Sequence, residues 1–156
     1  MASIISTLGI LVGTVGLFLG FYFLGTAPHT SIRIVTLTTV GVVGVLAFVR
    51  HVFLFRSDAE RLGWQTDRPD WVFEVGFANL AFGAMGLVAG LSSFGSEVQA
   101  VVILGYALYL FQAAMLHLYR YLTDARRSPA RLWRSVVATL LFAGMMTFFG
   151  VRAWLA

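Results

Sequence analysis

The sequence predicts an all-α fold: an integral membrane bundle of five transmembrane helices that forms a single domain over residues 1–156. Hydrophobic residues make up 59% of the chain and charged residues only 12%, whereas soluble domains carry about 25% charged residues. Mean hydropathy is +0.86. Apolar stretches of roughly 20 residues, the length that crosses a bilayer, occupy nearly the whole chain. The lipid bilayer is therefore the first partner that the sequence predicts.

The five spans follow one another with short connections. They are predicted at about residues 3–25, 32–55, 70–92, 97–121 and 129–154. The first lacks the basic start and the cleavage site of a signal peptide, so we expect it to be retained as a helix. Glycines recur at steps of three and four in two spans, which predicts glycine-rich helix packing. These faces contain Gly9, Gly13, Gly16 and Gly20 in the first span and Gly76, Asn79, Gly83, Gly86 and Gly90 in the third.

The connections carry helix-capping patterns. Residues 57–60 read Ser-Asp-Ala-Glu and residues 96–99 read Ser-Glu-Val-Gln, and both are capping boxes. The first predicts a short surface helix over residues 57–63, and the second opens the fourth span. Asp67 is expected to cap the third span. Ser128, which a proline follows, is expected to cap the fifth.

The charge distribution indicates membrane topology. A formal charge of +4 and a pI near 10.1 could suggest nucleic acid, but the arginines cluster at the ends of spans, so we reject a nucleic-acid partner. One side holds Arg50, Arg56, Arg61, Arg68, Arg120, Arg126, Arg127, Arg131 and Arg134. The other holds only Arg33 and Arg152. The positive-inside rule then predicts a cytoplasmic N-terminus and an external C-terminus in the cell membrane, the inner or plasma membrane.

Polar residues at the ends of the second, third and fourth spans are expected to meet near the cytoplasmic face. This predicted cluster contains Arg50, His51, Glu74, Asn79, Gln112, His117 and Arg120. Glu74 lies about one helical turn inside the third span, and we interpret it as the carboxylate that cannot easily reach water. A desolvated carboxylate needs a partner or a proton.

Three interpretations of this cluster stay open. His51, Glu74 and His117 would form a two-histidine, one-carboxylate metal set, although they lie on three helices with no fixed spacing. Glu74 would alternatively bind a proton coupled to transport or quinone chemistry.

The third interpretation is purely structural. Glu74 would pair with Arg50 or Arg120. The histidines would sit at the headgroup level, and the amides of the cluster would form interhelical hydrogen bonds.

One stretch resembles a family of small bacterial and archaeal multi-pass membrane proteins classed only as a domain of unknown function. It reads Arg61-x-Gly63-Trp64-Gln65, Pro69-x-Trp71, Glu74-x-Gly76-x-Ala78-Asn79-Leu80 and Gly83, and Gln112 and His117 follow later in the chain. The resemblance implies no activity. In size and helical layout the chain is also similar to DoxX-like membrane proteins, some of them linked to quinone oxidation, but that similarity concerns the fold alone.

Three function classes follow from these observations. We favour a non-enzymatic module, either an accessory subunit or a lipid- or small-ligand-binding protein, with a membrane-protein partner or a second copy as its protein contact. The alternatives are a redox enzyme that uses quinone, haem or a non-haem metal and a proton-coupled transporter centred on Glu74. The chain has no cysteine, and nucleophile, phosphate-loop and dinucleotide motifs are missing. No specific cofactor is therefore indicated.

Overall fold

A computed structural model describes residues 1–62, 68–123 and 128–155. Its helices are α1 (Ala2–Phe23), α2 (Pro28–Val52), α3 (Phe55–Leu62), α4 (Asp70–Leu91), α5 (Ser96–Thr123) and α6 (Pro129–Trp154). All except α3 are long and apolar enough to cross a membrane, and the described residues contain no strand. The predicted fold class, an all-α membrane bundle of five spans, is confirmed.

The five long helices alternate in direction, and α2 lies at the centre of the bundle. It packs against α1 on one side and α4 on the other, and it also touches α5 and α6. The buried core lies between α2, α5 and α6, where Val40, Tyr106 and Phe149 are almost fully enclosed. The end of α2 leads into α3, so we call this end of the bundle the α3 end.

A π-helical segment interrupts α2 at Thr36–Val42. A π turn displaces the ordinary backbone bonds and leaves carbonyl groups that need other donors. Three threonines add side-chain donors here: the hydroxyls of Thr36, Thr38 and Thr39 donate to the carbonyls four residues earlier at 2.7 to 2.8 Å. A second π segment, Trp133–Val137, lies near the start of α6.

Backbone approaches backbone where α2 crosses α4. A Cβ atom placed on Gly44 would lie 2.8 Å from the Cα of Gly83, and one placed on Gly86 would lie 2.6 Å from the amide nitrogen of Gly41. Only glycine fits such an approach without a shift of the helices. In α1, by contrast, a Cβ atom on Gly9 would meet nothing within 4 Å.

Side chains cap the helix ends opposite the α3 end. The Ser31 hydroxyl donates to the Gly20 carbonyl at 2.6 Å, and Arg33 Nε donates to the Gly90 carbonyl at 2.6 Å. Gln99 Nε2 donates to the Ala89 carbonyl at 3.2 Å. The last carbonyls of a helix have no partner within that helix, so these bonds stabilise the ends of α1 and α4.

Two capping predictions have clear outcomes. Ser128 caps α6 as predicted, because its hydroxyl accepts from the amide of Arg131 at 3.3 Å. The capping box at residues 96–99 is wrong: Gln99 is buried and reaches α4, so it does not turn back onto its own helix. Asp67, the predicted cap of α4, lies outside the described residues.

Candidate functional site

A charged group at the α3 end joins Arg50, His51 and Asp58, and we call it the ionic cluster. Asp58 is only 1% exposed. Its Oδ2 lies 3.0 Å from His51 Nδ1 and 3.4 Å from Arg50 Nε. Arg50 Nη2 lies 3.1 Å from His51 Nε2. A buried carboxylate is thus held between two basic side chains, as burial of a charge requires.

The end of α2 and the short helix α3 build the ionic cluster. Arg50 and His51 occupy the last turn of α2. Because α3 begins at Phe55, Asp58 lies inside its first turn, where its amide donates to the Leu54 carbonyl at 2.9 Å. The capping box at residues 57–60 is therefore wrong: α3 starts earlier, and this register turns Asp58 towards the bundle.

The two ring nitrogens of His51 face different members of the ionic cluster. Nε2 faces the Arg50 guanidinium, which can only donate, and Nδ1 faces the Asp58 carboxylate. Arg50 Nη1 also donates to the Ser6 hydroxyl of α1 at 3.4 Å. The cluster consequently holds α1, α2 and α3 together, with Asp58 balancing the charge of Arg50.

A second polar group lies deeper in the bundle around Asn79. Its Oδ1 accepts from the Tyr106 hydroxyl at 2.8 Å, and its Nδ2 donates to the Tyr109 hydroxyl at 2.9 Å and to the Val75 carbonyl at 2.8 Å. The acceptor and both donors of this amide are thereby used. The two tyrosine rings stack with their centroids 5.8 Å apart. This group, which we call the amide–tyrosine network, joins α4 to α5.

Glu74 is exposed on the outside of α4. Within the described residues no ion pair joins it to Arg50 or Arg120. The interpretation of Glu74 as the carboxylate shielded from water is wrong, because that position belongs to Asp58. Glu74 occupies a face of α4 that no other helix covers.

The remaining predicted residues, Gln112, His117 and Arg120, all lie on α5. Gln112 and Arg120 are exposed on α5, and His117 is half-buried. His117 borders a cavity of about 10 Å³, room for one water molecule; its other lining residues are Leu62, Arg120, Tyr121, Arg131 and Ser135. No three histidine, aspartate or glutamate side chains in the described parts of the chain are grouped to hold a metal ion. The set of His51, Glu74 and His117 is therefore not assembled here.

An apolar groove of about 460 Å³ opens between α5 and α6 on the outside of the bundle. It is lined by Leu104, Ala107, Leu108, Phe111, Leu140, Ala143, Gly144 and Thr147. The only hydroxyl in this lining, that of Thr147, already donates to the Ala143 carbonyl at 2.8 Å. The groove consequently offers shape and apolar contact without a free hydrogen-bonding side chain.

Sequence reasoning missed Asp58, Tyr106 and Tyr109. Asp58 belongs to the capping pattern at residues 57–60, and that pattern already explains its presence in the sequence. Its position seven residues after His51 therefore gave no separate indication that the two side chains would meet. Tyrosines near the ends of a span are typical of the interfacial belt, although the i, i+3 spacing of Tyr106 and Tyr109 on α5 places them on one face. A single amide on the neighbouring span, Asn79, was the available hint that this face needed polar partners.

The model of a protein family of unknown function, DUF6790, matches residues 1–154 of the chain. The chain belongs to the DUF6790 family. The expectation of an uncharacterised family is thereby confirmed, although Gly63, Trp64 and Gln65 of the stretch that suggested it lie outside the described residues. No curated protein and no solved structure matches. Membership of the DUF6790 family carries no activity with it, so function must be argued from the geometry.

Proposed function

We propose that this protein is a non-enzymatic membrane module that binds an apolar partner, the acyl chain of a lipid, in the groove between α5 and α6. The groove carries this proposal. Its lining is almost entirely aliphatic or aromatic, and the Thr147 hydroxyl is already bonded to its own helix. Such a surface suits a hydrocarbon chain and offers nothing to orient a polar substrate.

The use of the buried polar groups supports a structural role for them. The ionic cluster is charge-balanced around Asp58, and Asn79 has all its hydrogen bonds. A redox or metal enzyme would need ligands or polar groups directed into an open site. The exposed position of Glu74 also gives a transporter no buried proton carrier at that residue.

The proposed module is held together by glycine-rich helix packing and has a defined orientation in the membrane. The close backbone approach of α2 and α4 at Gly44 and Gly83 supports glycine-rich packing of these two helices. The α3 end, which carries most of the arginines, faces the cytoplasm of a bacterial or archaeal cell, with the N-terminus inside and the C-terminus outside.

Two glycines allow a matched test of the groove. A Cβ atom on Gly144 or on Gly9 would meet nothing within 4 Å, so a side chain can begin at either position without a clash. Only Gly144 lines the groove. We expect Gly144→Leu to fill it and to lower the amount of lipid that co-purifies with the protein by several-fold, whereas Gly9→Leu retains the wild-type amount.

Native mass spectrometry of the detergent-purified full chain measures the bound lipid directly. Equal helical content of the two variants by circular dichroism establishes that both are folded. Equal lipid retention by Gly144→Leu and Gly9→Leu would contradict the proposal. Loss of an associated membrane protein with unchanged lipid would also contradict it and would assign the groove to an accessory subunit.

A further inference from the structure

Gln112 presents an amide to the outside of the bundle. It is exposed, and it makes no hydrogen bond to any residue that the structure describes. It lies 11 residues before the end of α5 at Thr123, about 17 Å along the helix axis, and 16 residues, about 24 Å, from Ser96. Since the hydrocarbon layer is about 30 Å thick, Gln112 lies inside it for any placement in which α5 spans the layer.

An amide facing hydrocarbon is unfavourable unless it is hydrogen-bonded. Its two N–H donors and its carbonyl oxygen lose water and gain nothing from lipid chains. Asn79 shows how this chain treats an amide at similar depth, since all its polar atoms are bonded to α4 and α5. Gln112 lacks such partners among the described residues, so a partner of matching polarity is expected from another molecule.

The surroundings of Gln112 form a continuous outward face of α5. Val101, Leu108, Gln112 and Tyr119 recur at steps of seven and four residues and so lie in one row. The three apolar members of this row are among the most exposed large side chains of α5. Neither α4 nor α6 covers the row, which leaves space for another helix.

We propose that Gln112 pairs with Gln112 of a second copy of this chain across a two-fold axis normal to the membrane. Such an axis places the two side chains at the same depth, and each amide then donates to and accepts from the other. A second copy is the one partner that necessarily brings an amide to this depth, and two-fold homodimers are the commonest protein assemblies. Tyr119 and Leu108 flank the amides and pack against their counterparts, so that Leu108, which also borders the groove between α5 and α6, lies at the edge of the proposed interface.

The absence of cysteine from the chain permits a crosslinking test without background. Leu108→Cys lies one helical turn from Gln112 in the proposed interface. Val15→Cys, on an exposed position of α1 at comparable depth, is the matched control. In vesicles of neutral phosphatidylcholine at high lipid excess, we expect an oxidant to link Leu108→Cys copies into dimers and to leave Val15→Cys monomeric.

A second variant tests the amide itself. Gln112→Leu in the Leu108→Cys background removes both hydrogen bonds and keeps the apolar row. Interhelical hydrogen bonds in membranes are individually modest, so the loss of two predicts roughly tenfold weaker self-association. Unchanged crosslinking in Gln112→Leu would overturn the proposal, as would equal crosslinking of Leu108→Cys and Val15→Cys. An unchanged thermal unfolding midpoint of Gln112→Leu would establish that the monomer stays folded.

Discussion

The inside and the outside of this bundle carry the same residue types, but the inward side chains are buried and bonded and the outward ones are exposed. Asp58 and Glu74 are both carboxylates near the α3 end, but only Asp58 is enclosed and paired with basic side chains. Asn79 and Gln112 are both amides at similar depth, and within the part of the chain that the structure describes only Asn79 is hydrogen-bonded. Position on the helix therefore decides what each group contributes. The inward members hold the bundle together, and the outward members are free to meet lipid or protein.

Glycine follows the same division. Gly44 lies where α2 and α4 touch through their backbones, whereas Gly144 faces the open groove. A substitution at an inward position should therefore destabilise the fold, and its outward counterpart should change only what the surface binds. We therefore compare an inward residue with an outward residue of the same type.

The largest difference is expected between the two carboxylates. Asp58→Ala removes the buried carboxylate that lies beside Arg50 and His51 and should lower the free energy of unfolding by about 3 kcal/mol. Glu74→Ala should leave it almost unchanged, because Glu74 is exposed. Thermal unfolding in detergent, followed by circular dichroism, measures both. Equal midpoints for the two variants would show that the ionic cluster does not hold the bundle.

The glycine pair should differ by somewhat less. In Gly44→Ala the new methyl group meets backbone atoms of α4 at 2.8 to 2.9 Å, which no side-chain rotation can relieve, and overpacking of this kind costs about 3 kcal/mol. Gly144→Ala should be neutral or slightly stabilising, because its methyl group enters open space and alanine favours the helix. The same unfolding measurement compares them, and a Gly44→Ala protein as stable as Gly144→Ala would contradict the close α2–α4 crossing.

Substitution of Asn79 should lower the stability of the monomer, whereas substitution of Gln112 should weaken only the association of two copies. Asn79→Leu leaves the buried Tyr106 hydroxyl without its acceptor, which should cost about 2 kcal/mol of stability. Gln112→Leu should keep the stability of the monomer. Parallel unfolding curves of the two variants at low protein concentration test this, and a larger loss in Gln112→Leu than in Asn79→Leu would reverse the assignment of inside and outside.

The smallest effect is expected in the π-helical segment of α2. Thr39→Val keeps the shape of the side chain and removes the hydroxyl that donates to the Val35 carbonyl at 2.7 Å, a loss of about 1 kcal/mol. Thr14→Val, at an exposed position of α1, serves as the control. If both variants unfold at the wild-type temperature, the threonine hydroxyls do not stabilise the π segment.

The fold could be predicted from the sequence because spans are long, apolar and separated by turn residues. The sites could not be predicted to the same degree. Hydropathy and the distance of each residue from the end of its span predict that His51 and Glu74 lie near the same end of the bundle. They do not predict the rotation of each helix about its axis, because that rotation depends on packing against neighbouring helices. That rotation turned Glu74 outward and brought Asp58, a residue with an adequate capping explanation, into the bundle.

The amides illustrate the same limit. Hydrogen bonding between helices was the expected role of both Asn79 and Gln112, and the sequence contains nothing that distinguishes them. The close approach of α2 to α4 fixes the face that α4 turns towards Tyr106 and Tyr109. Nothing comparable turns Gln112 inward, because the tyrosines already occupy the inner face of α5.

The most direct test of the non-enzymatic assignment is metal analysis with an optical absorption spectrum of the detergent-purified wild-type protein, alongside His51→Ala. We expect the wild-type protein to be colourless and to contain well under one metal ion per chain, and we expect the same result for His51→Ala. Near-stoichiometric metal, or a haem or flavin band that His51→Ala abolishes, would contradict it and make the ionic cluster part of a redox centre.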